Sequence, residues 1–303
     1  MGVGEGRIKK LAAEKTVADI PSIIKELKNS PNEKKEECAH LLDVLASKDT
    51  ECAVAIAKGG GLVHLIEVVR VGTDGGQIHA ASTIATIAAT NADLLHQTVE
   101  SGAVAPLVKL LSGGSQKAQV YAAAAVASIS TETDQKKDML KAGVVPSLVR
   151  LVKADVAADA QVYASDAISN LSSSYLEAQN ALHAAGAVPL LLELLKNGKA
   201  QVAAASALGK LMSPGNLISA YPPDITPANT LLQESISKEG GIPLLLALLN
   251  GMNVQGQVHA AAALANLARG NLDIQNQIVM AGGILPPLQM LTSKSPQAQA
   301  QAA

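Results

Sequence analysis

A segment that begins with glycine returns along this chain at nearly constant spacing. Each copy continues with a small residue, a β-branched residue and a leucine-rich run, as in residues 186–195. The aligned copies begin at residues 18, 60, 102, 143, 186, 240 and 282, so the intervals are 42, 42, 41, 43, 54 and 42 residues; the first copy is the weakest and has Ala18 in place of the glycine. A period of ~42 residues is typical of arrays in which each repeat buries its apolar face against its neighbours. The 303 residues therefore predict a repeat array rather than two globular domains.

Each period contains three predicted helices. A short first helix opens with a capping residue such as Asn91 or Asn271, and the recurring glycine ends it, because glycine adopts the left-handed geometry of a C-cap. The leucine-rich run forms a second helix, in which proline fits the first turn. Residues 257–268 show the third helix, which opens with Gln257 and carries apolar residues at helical spacing.

These motifs resemble those of the armadillo family over nearly the whole chain. The hallmarks are residues 100–111, ESGAVAPLVKLL, and residues 263–268, ALANLA. The resemblance implies an all-α fold, a right-handed α-α superhelix of the armadillo solenoid type with three helices per repeat. We expect residues 1–303 to form a single array of six nearly complete repeats and a truncated seventh, preceded by a flexible segment at residues 1–13.

The 54-residue interval contains an insertion, predicted as an extended loop at residues 213–228. Its four prolines exclude a continuous helix. Tyr221 and Ile225 are the candidate partner contacts of this edge loop, and a tolerated surface loop without function remains the alternative. Near Ala303 a further third helix begins and stops, so we expect the C-terminal end to be covered by more chain or by a partner.

Composition excludes several classes of function. The net charge of −2 without a basic stripe argues against nucleic acid or an anionic membrane surface as the main partner. No apolar run reaches the length of a membrane span, so direct membrane insertion is not expected. Cys38 and Cys52 lack metal-site spacing and fit a reducing compartment. We expect an intracellular, cytoplasmic protein, with the nucleus, organelles and cytoskeleton left open, and neither a metal, a cofactor nor enzyme activity.

The third helices are the candidate binding surface. In the armadillo family they line the concave face, and the resemblance implies that extended peptides or partner helices bind there. Helical geometry selects one stripe, because positions i, i+3 and i+7 share a face. The candidate residues on this stripe are His79, Thr86, Tyr121, Ser128, Tyr163, Asp166, Asn170, Lys210, His259 and Asn266.

Three sets of positions on the third helices suggest different roles. Asn170 and Asn266 match the position whose amide holds the backbone of an extended peptide in importin-α, and an amide both donates and accepts. The histidines and tyrosines of the stripe are either planar interface anchors or space-filling residues between adjacent helices. The glutamine that opens each third helix is predicted to hold the preceding turn. This glutamine row is Gln77, Gln119, Gln161, Gln201 and Gln257.

The resulting hypothesis is a non-catalytic scaffold or adaptor that binds partner proteins along the concave face. The alternative is a permanent structural subunit that braces a large assembly, such as a flagellar or organellar complex. An adaptor of the importin-α kind is less favoured, because Ala262 and Asp166 stand where importin-α has tryptophan and this chain has none. Tryptophan faces hold the cations of basic import signals.

Overall fold

The computed structural model describes residues 3–153, 155–196, 198–213, 227–291 and 295–302. Helices make up most of these ranges and no β-strand occurs in them, which confirms the all-α prediction. Most of the predicted insertion at 213–228, including Tyr221 and Ile225, lies outside the described residues.

The first of two compact units comprises residues 1–147. Its helices are α1 (Val3–Glu14), a 3-10 turn (Val17–Asp19), α2 (Ile20–Asn29), α3 (Asn32–Lys48), α4 (Thr50–Lys58), α5 (Gly61–Val71), α6 (Asp74–Thr90), α7 (Ala92–Glu100), α8 (Val104–Gly113), α9 (Gln116–Ile129) and α10 (Thr133–Lys141). Within this unit α6 packs between α3 and α9.

The second unit comprises residues 148–303. The dividing residue falls inside α11 (Val144–Leu151), and the remaining helices are α12 (Ala158–Ser172), α13 (Leu176–Ala184), α14 (Ala187–Lys196), α15 (Gln201–Leu211), α16 (Pro227–Lys238), α17 (Gly241–Leu249), α18 (Val254–Ala268), α19 (Leu272–Met280), α20 (Leu285–Met290) and α21 (Pro296–Ala302). Within this unit α15 packs between α12 and α18.

The helices follow the predicted order of three per repeat. Second helices are α2, α5, α8, α11, α14, α17 and α20, and third helices are α3, α6, α9, α12, α15, α18 and α21. A first helix precedes each second helix from α5 onward. The glycine between them has a positive φ, for example 77° at Gly60 and 81° at Gly240. Only glycine adopts this conformation without strain, so it ends the first helix at the same point of each repeat.

The N-terminal segment differs from the sequence prediction. Residues 1–13 are predicted to be flexible, but residues 3–14 form α1, which packs against α3. Ile8 and Ala12 lie one helical turn apart on α1, and both side chains are buried. The i, i+4 spacing of these two apolar residues is the physical reason for the helix, because it gives α1 a face to bury.

The core consists of alanine and branched aliphatic side chains. In α9 the side chains of Ala122, Ala123, Ala125 and Val126 are fully buried, and small residues let neighbouring third helices approach closely. Among the described helices none alone is long and apolar enough to cross a membrane, and the one combination that reaches the length, α4 with α5, is bent by 86°.

Candidate binding face of the third helices

The start of five third helices is fixed by a glutamine side chain. In five repeats the Nε2 atom donates to a backbone carbonyl at or just beyond the end of the preceding second helix. The pairs are Gln77 with Val69 (3.1 Å), Gln119 with Gly114 (2.7 Å), Gln161 with Lys153 (2.7 Å), Gln201 with Leu195 (3.0 Å) and Gln257 with Gly251 (2.9 Å). The structural interpretation of this row is therefore confirmed.

A second glutamine row, which sequence reasoning missed, holds the ends of the third helices. Gln179 on α13 donates its Nε2 to the carbonyls of Ser172 (2.9 Å), Lys210 (3.2 Å) and Ser213 (2.9 Å). Gln233 on α16 does the same for the C-terminal end of α18. The two residues are 54 positions apart, the interval of their repeats, so their register was a usable signal.

In the first unit the polar side chains of the stripe bond to the chain itself. The Nδ1 atom of His79 lies 2.8 Å from Oδ2 of Asp43 on the neighbouring helix α3. Its ring stacks on His40, with centroids 3.8 Å apart and planes inclined by 8°. His79 thus joins two third helices, which favours the space-filling interpretation at this position.

The hydroxyls of Thr86 and Ser128 in this unit also form hydrogen bonds within the chain. Thr86 donates to the carbonyl of Ser82 at 3.1 Å, and Ser128 donates to that of Ala124 at 3.1 Å. Each bond closes on the same helix one turn earlier, as is common for hydroxyls inside helices. Tyr121 is half-buried on α9. The predicted residues of this unit are therefore placed on one face, but most of their polar groups are already used.

In the second unit two side chains at the corresponding positions, Tyr163 and Asp166, have polar atoms without a hydrogen-bond partner among the described residues. Tyr163 on α12 is 38% exposed, the most exposed of the tyrosines whose surroundings are described. One turn later, Asp166 is half-buried and has no hydrogen-bond or ion-pair partner among the described residues. Burial raises the pKa of Asp166 to about 6, because a carboxylate loses hydration there without gaining a donor.

The next two helices of this face carry Lys210, on α15, and His259, on α18. Lys210 on α15 is exposed and forms no ion pair with any described carboxylate. Burial lowers the pKa of His259 on α18, and the charge of Lys210 lowers it further. Lys210 and His259 are therefore electrostatic neighbours, with the imidazole held in its neutral form.

The asparagines of this unit are partly used. Asn266 donates its Nδ2 to the carbonyl of Gly209 at 3.0 Å, and its Oδ1 accepts from Arg269 at 3.2 Å. The backbone of α15 runs close to α18 here, because a Cβ on Gly209 would lie in van der Waals contact with Cα of Ala263, at 3.4 Å. Asn170 is half-buried on the same stripe as Asp166. The second N–H of Asn266 has no partner among the described residues.

Catalysis would need a cavity with suitable titratable groups in the described part of the chain. A cleft of about 490 Å³ in the first unit is lined by Arg70, Lys109, Pro106 and other residues that include no histidine, cysteine or carboxylate. Its Ser112 therefore has no histidine or carboxylate in the lining to act as a general base. Burial and then the charge of Glu26 raise the pKa of Cys38 to about 11, so its thiol is protonated at neutral pH. Within the described ranges no cluster of three metal-ligating side chains occurs.

Comparison with known proteins identifies the repeat. The model of the armadillo/beta-catenin-like repeat matches residues 91–131, 132–173 and 232–269. A search of curated protein sequences finds no match. An engineered protein solved by a structural genomics consortium is 29% identical over 98% of this chain and 69% of that one, with a TM-score of 0.79.

Two designed proteins are also similar in structure. The designed armadillo repeat protein YIII(Dq)4CqI is 25% identical over 82% of this chain and 99% of that chain, with a TM-score of 0.70. A related design, solved in complex with the peptide (KR)4, is 25% identical over the same shares, with a TM-score of 0.67. With three helices per repeat, a left-handed glycine at each turn and these matches, the chain is an armadillo-repeat protein.

Proposed function

We propose that this protein is a non-catalytic scaffold that binds an extended segment of a partner protein on the stripe formed by α12, α15 and α18. We call this stripe the 158–268 face. The observation that carries the proposal is the set of side chains on it whose polar groups have no partner among the described residues. These are Tyr163, Asp166, Lys210 and His259.

Such groups favour a polar ligand laid across the helices. Tyr163 offers a planar apolar surface with a hydroxyl at its tip, a combination enriched at protein interfaces. The three helices carry these groups side by side, and an extended chain advances ~3.3 Å per residue, so several of its residues can contact successive helices. The face therefore suits a peptide better than a small molecule, because it is a stripe rather than an enclosed cavity.

The charges suggest the chemistry of the segment. Asp166 on α12 needs a cation or a hydrogen-bond donor, whereas Lys210 on α15 needs an acceptor. A segment with a basic residue and, further along, an acidic or carbonyl group satisfies both. A cation placed beside Asp166 would lower its pKa, so binding should release protons near pH 6.

The related structures support this proposal without identifying the ligand. One designed armadillo repeat protein is a complex with the peptide (KR)4, and another belongs to a set designed for modular peptide recognition. The same fold therefore presents peptide-binding surfaces. A lysine-rich import signal is the less favoured ligand for this chain, because no tryptophan is available to hold its cations.

The test is affinity purification of the full chain followed by mass spectrometry. The triple variant Tyr163→Ala/Asp166→Asn/Lys210→Ala should lose the recovered partner, and the double variant Thr86→Val/Ser128→Ala should keep it. A peptide from the partner should then bind the triple variant at least ~30-fold more weakly than wild type, which corresponds to about 2 kcal/mol. Equal recovery by the triple variant and wild type would contradict the proposal.

The alternative, a permanent structural subunit, has one observation in its favour. The last described repeat exposes large apolar side chains on α19 and α20, which is typical of surfaces that are covered in an assembly. Reversible micromolar binding of an isolated peptide distinguishes the scaffold from such a subunit. A subunit would instead purify with its neighbours at fixed stoichiometry.

A further inference from the structure

The cleft of about 490 Å³ in the first unit lies between the second helices α5 and α8. Its volume falls within the range of small-molecule sites, which is roughly 300–1,000 Å³. The buried residues Val69, Pro106 and Leu110 form its apolar part, and Gln77 near the start of α6 adds an amide. The cleft is separate from the 158–268 face, which belongs to the second unit, so the peptide proposed there does not account for it.

Two cationic side chains from different helices line this cleft. Arg70 comes from the last turn of α5, where the negative end of the helix dipole favours a cation. Lys109 lies in the middle of α8, where the dipole gives no such reason, and its ammonium forms no ion pair with any described carboxylate. Arg70 pairs through Nη1 with Glu67 at 3.2 Å. The three side chains therefore leave one positive charge uncompensated.

The second unit contains a cleft at the same register positions without this charge. It lies between the C-terminal end of α17 and α20 and has a volume of about 270 Å³. Asn250 and Gln289 occupy the places of Arg70 and Lys109 in it. The repeat geometry therefore produces the cleft, whereas the positive charge is a property of the cleft in the first unit.

The combination of two cations is also specific to one repeat in the sequence. The register aligns six pairs of these two positions, and Arg70 with Lys109 is the only pair of two cations. In Lys28 with Glu67, by contrast, the charges are opposite. Two cations that line one cleft repel each other, so an anion bound there lowers the electrostatic free energy.

We propose that the cleft between α5 and α8 binds a small monocarboxylate with a short apolar body. Arg70 and Lys109 neutralise the carboxylate, and Val69, Pro106 and Leu110 contact the apolar body. A carboxylate carries the single negative charge that the cleft leaves uncompensated, whereas a phosphate dianion exceeds it. The Nε2 atom of Gln77 donates to the carbonyl of Val69 at 3.1 Å, and its second N–H has no partner among the described residues. This N–H is a further donor for the ligand.

The direct test is methyl NMR spectroscopy of the full chain during titration with hexanoate. The methyl signals of Val69 and Leu110 should shift and saturate, whereas those of Leu249 in the neutral cleft should not move. Arg70→Asn/Lys109→Gln gives the first cleft the side chains of the neutral one, and it should weaken hexanoate binding at least ~10-fold. Hexanol has a similar apolar body without a charge and should also bind wild type at least ~10-fold more weakly.

The matched control is Lys58→Gln/Lys141→Gln. It removes two exposed cations of the same unit that lie outside the cleft lining, and it should bind hexanoate as wild type does. Arg70 and Lys109 are themselves exposed, so circular dichroism should show that both double variants keep their helices.

Three outcomes would overturn the proposal. The first is the absence of saturable shifts at Val69 and Leu110 in wild type, and the second is equal hexanoate binding by wild type and Arg70→Asn/Lys109→Gln. The third is tighter binding of hexyl phosphate than of hexanoate, because the cleft would then select a dianion. The comparison of hexanoate, hexanol and hexyl phosphate uses wild type alone, so it is decisive even if a variant fails to fold.

Discussion

The third-helix stripe of residues 74–129 and the 158–268 face occupy equivalent register positions but use them differently. In the first, His79 bonds to Asp43, and Thr86 and Ser128 bond to their own helices. In the second, Tyr163 and Asp166 keep polar atoms without partners among the described residues. Register therefore determines where a side chain lies, whereas the residue type and the neighbouring groups determine whether its polar atoms are already bonded.

The two stripes are also held in place by different groups. His79 and Asp43 connect α6 to α3 through side chains on the stripe itself. In the second unit a serine pair joins α12 to α15, with Ser169 and Ser206 2.9 Å apart, while Gln179 on α13 binds the backbone carbonyls of Ser172, Lys210 and Ser213. These contacts do not use the side chains of Tyr163, Asp166 or Lys210, and this difference can be tested by substitution.

The largest expected effect is the loss of Gln179. Gln179→Met retains the length and apolar volume of the side chain but removes its bonds to three carbonyls. The carbonyls of Ser172 and Lys210 keep other donors and that of Ser213 loses the one described, so we expect a loss of about 2 kcal/mol of unfolding free energy. Gln97→Met in the first unit removes a single bond to Ala57 and should cost about 1 kcal/mol. Urea denaturation measures both. Equal losses of unfolding free energy in the two variants would show that both units depend on these glutamine side chains to the same extent.

The sequence was sufficient for the fold because its signals are local and repeated. A glycine at each first-helix end, a leucine-rich second helix and an opening glutamine on the third helix specify the unit through capping and apolar spacing. The packing of α1 was missed because Ile8 and Ala12 have no counterpart in the repeat pattern. Gln179 was missed because its partners Lys210 and Ser213 are distant in sequence.

The site was less predictable, since availability depends on contacts between repeats. Helical periodicity placed His79 and His259 on the same stripe, but it could not show that Asp43 and His40 surround only the first of them. Likewise, Asn266 was predicted as a peptide-binding amide, and its bond to Gly209 depends on how closely α15 and α18 approach.

The second expected effect is a gain of stability in Asp166→Asn. The pKa of Asp166 is about 6 in the folded protein and about 3.9 in an unfolded chain, so the unfolded state loses the proton first. Stability is therefore lost as pH rises from about 4 to 6, and the full penalty persists above pH 6. Allowing for partial exposure, Asp166→Asn should be about 1–2 kcal/mol more stable than wild type at neutral pH.

The control for this prediction is the pH dependence itself. The difference between Asp166→Asn and wild type should vanish below about pH 4, where the carboxyl is protonated in both states. Urea denaturation across this pH range measures it. A difference that stays constant with pH would mean that the carboxyl of Asp166 has a donor, and the contrast between the two stripes would then be weaker than the structure indicates.

The smallest expected effect compares one histidine from each stripe at neutral pH. His79→Ala removes the bond to Asp43 and the stacking on His40, and it leaves a mostly buried carboxylate whose Oδ1 already lacks a partner, so we expect a loss of about 1 kcal/mol. His259→Ala removes only packing, because no described residue bonds to its ring, and should cost less than half as much. Partner binding should show the reverse order, with His259→Ala weakening it and His79→Ala leaving it unchanged. If His79→Ala weakened binding as much as His259→Ala, the stripe of residues 74–129 would belong to the binding surface despite its internal bonds.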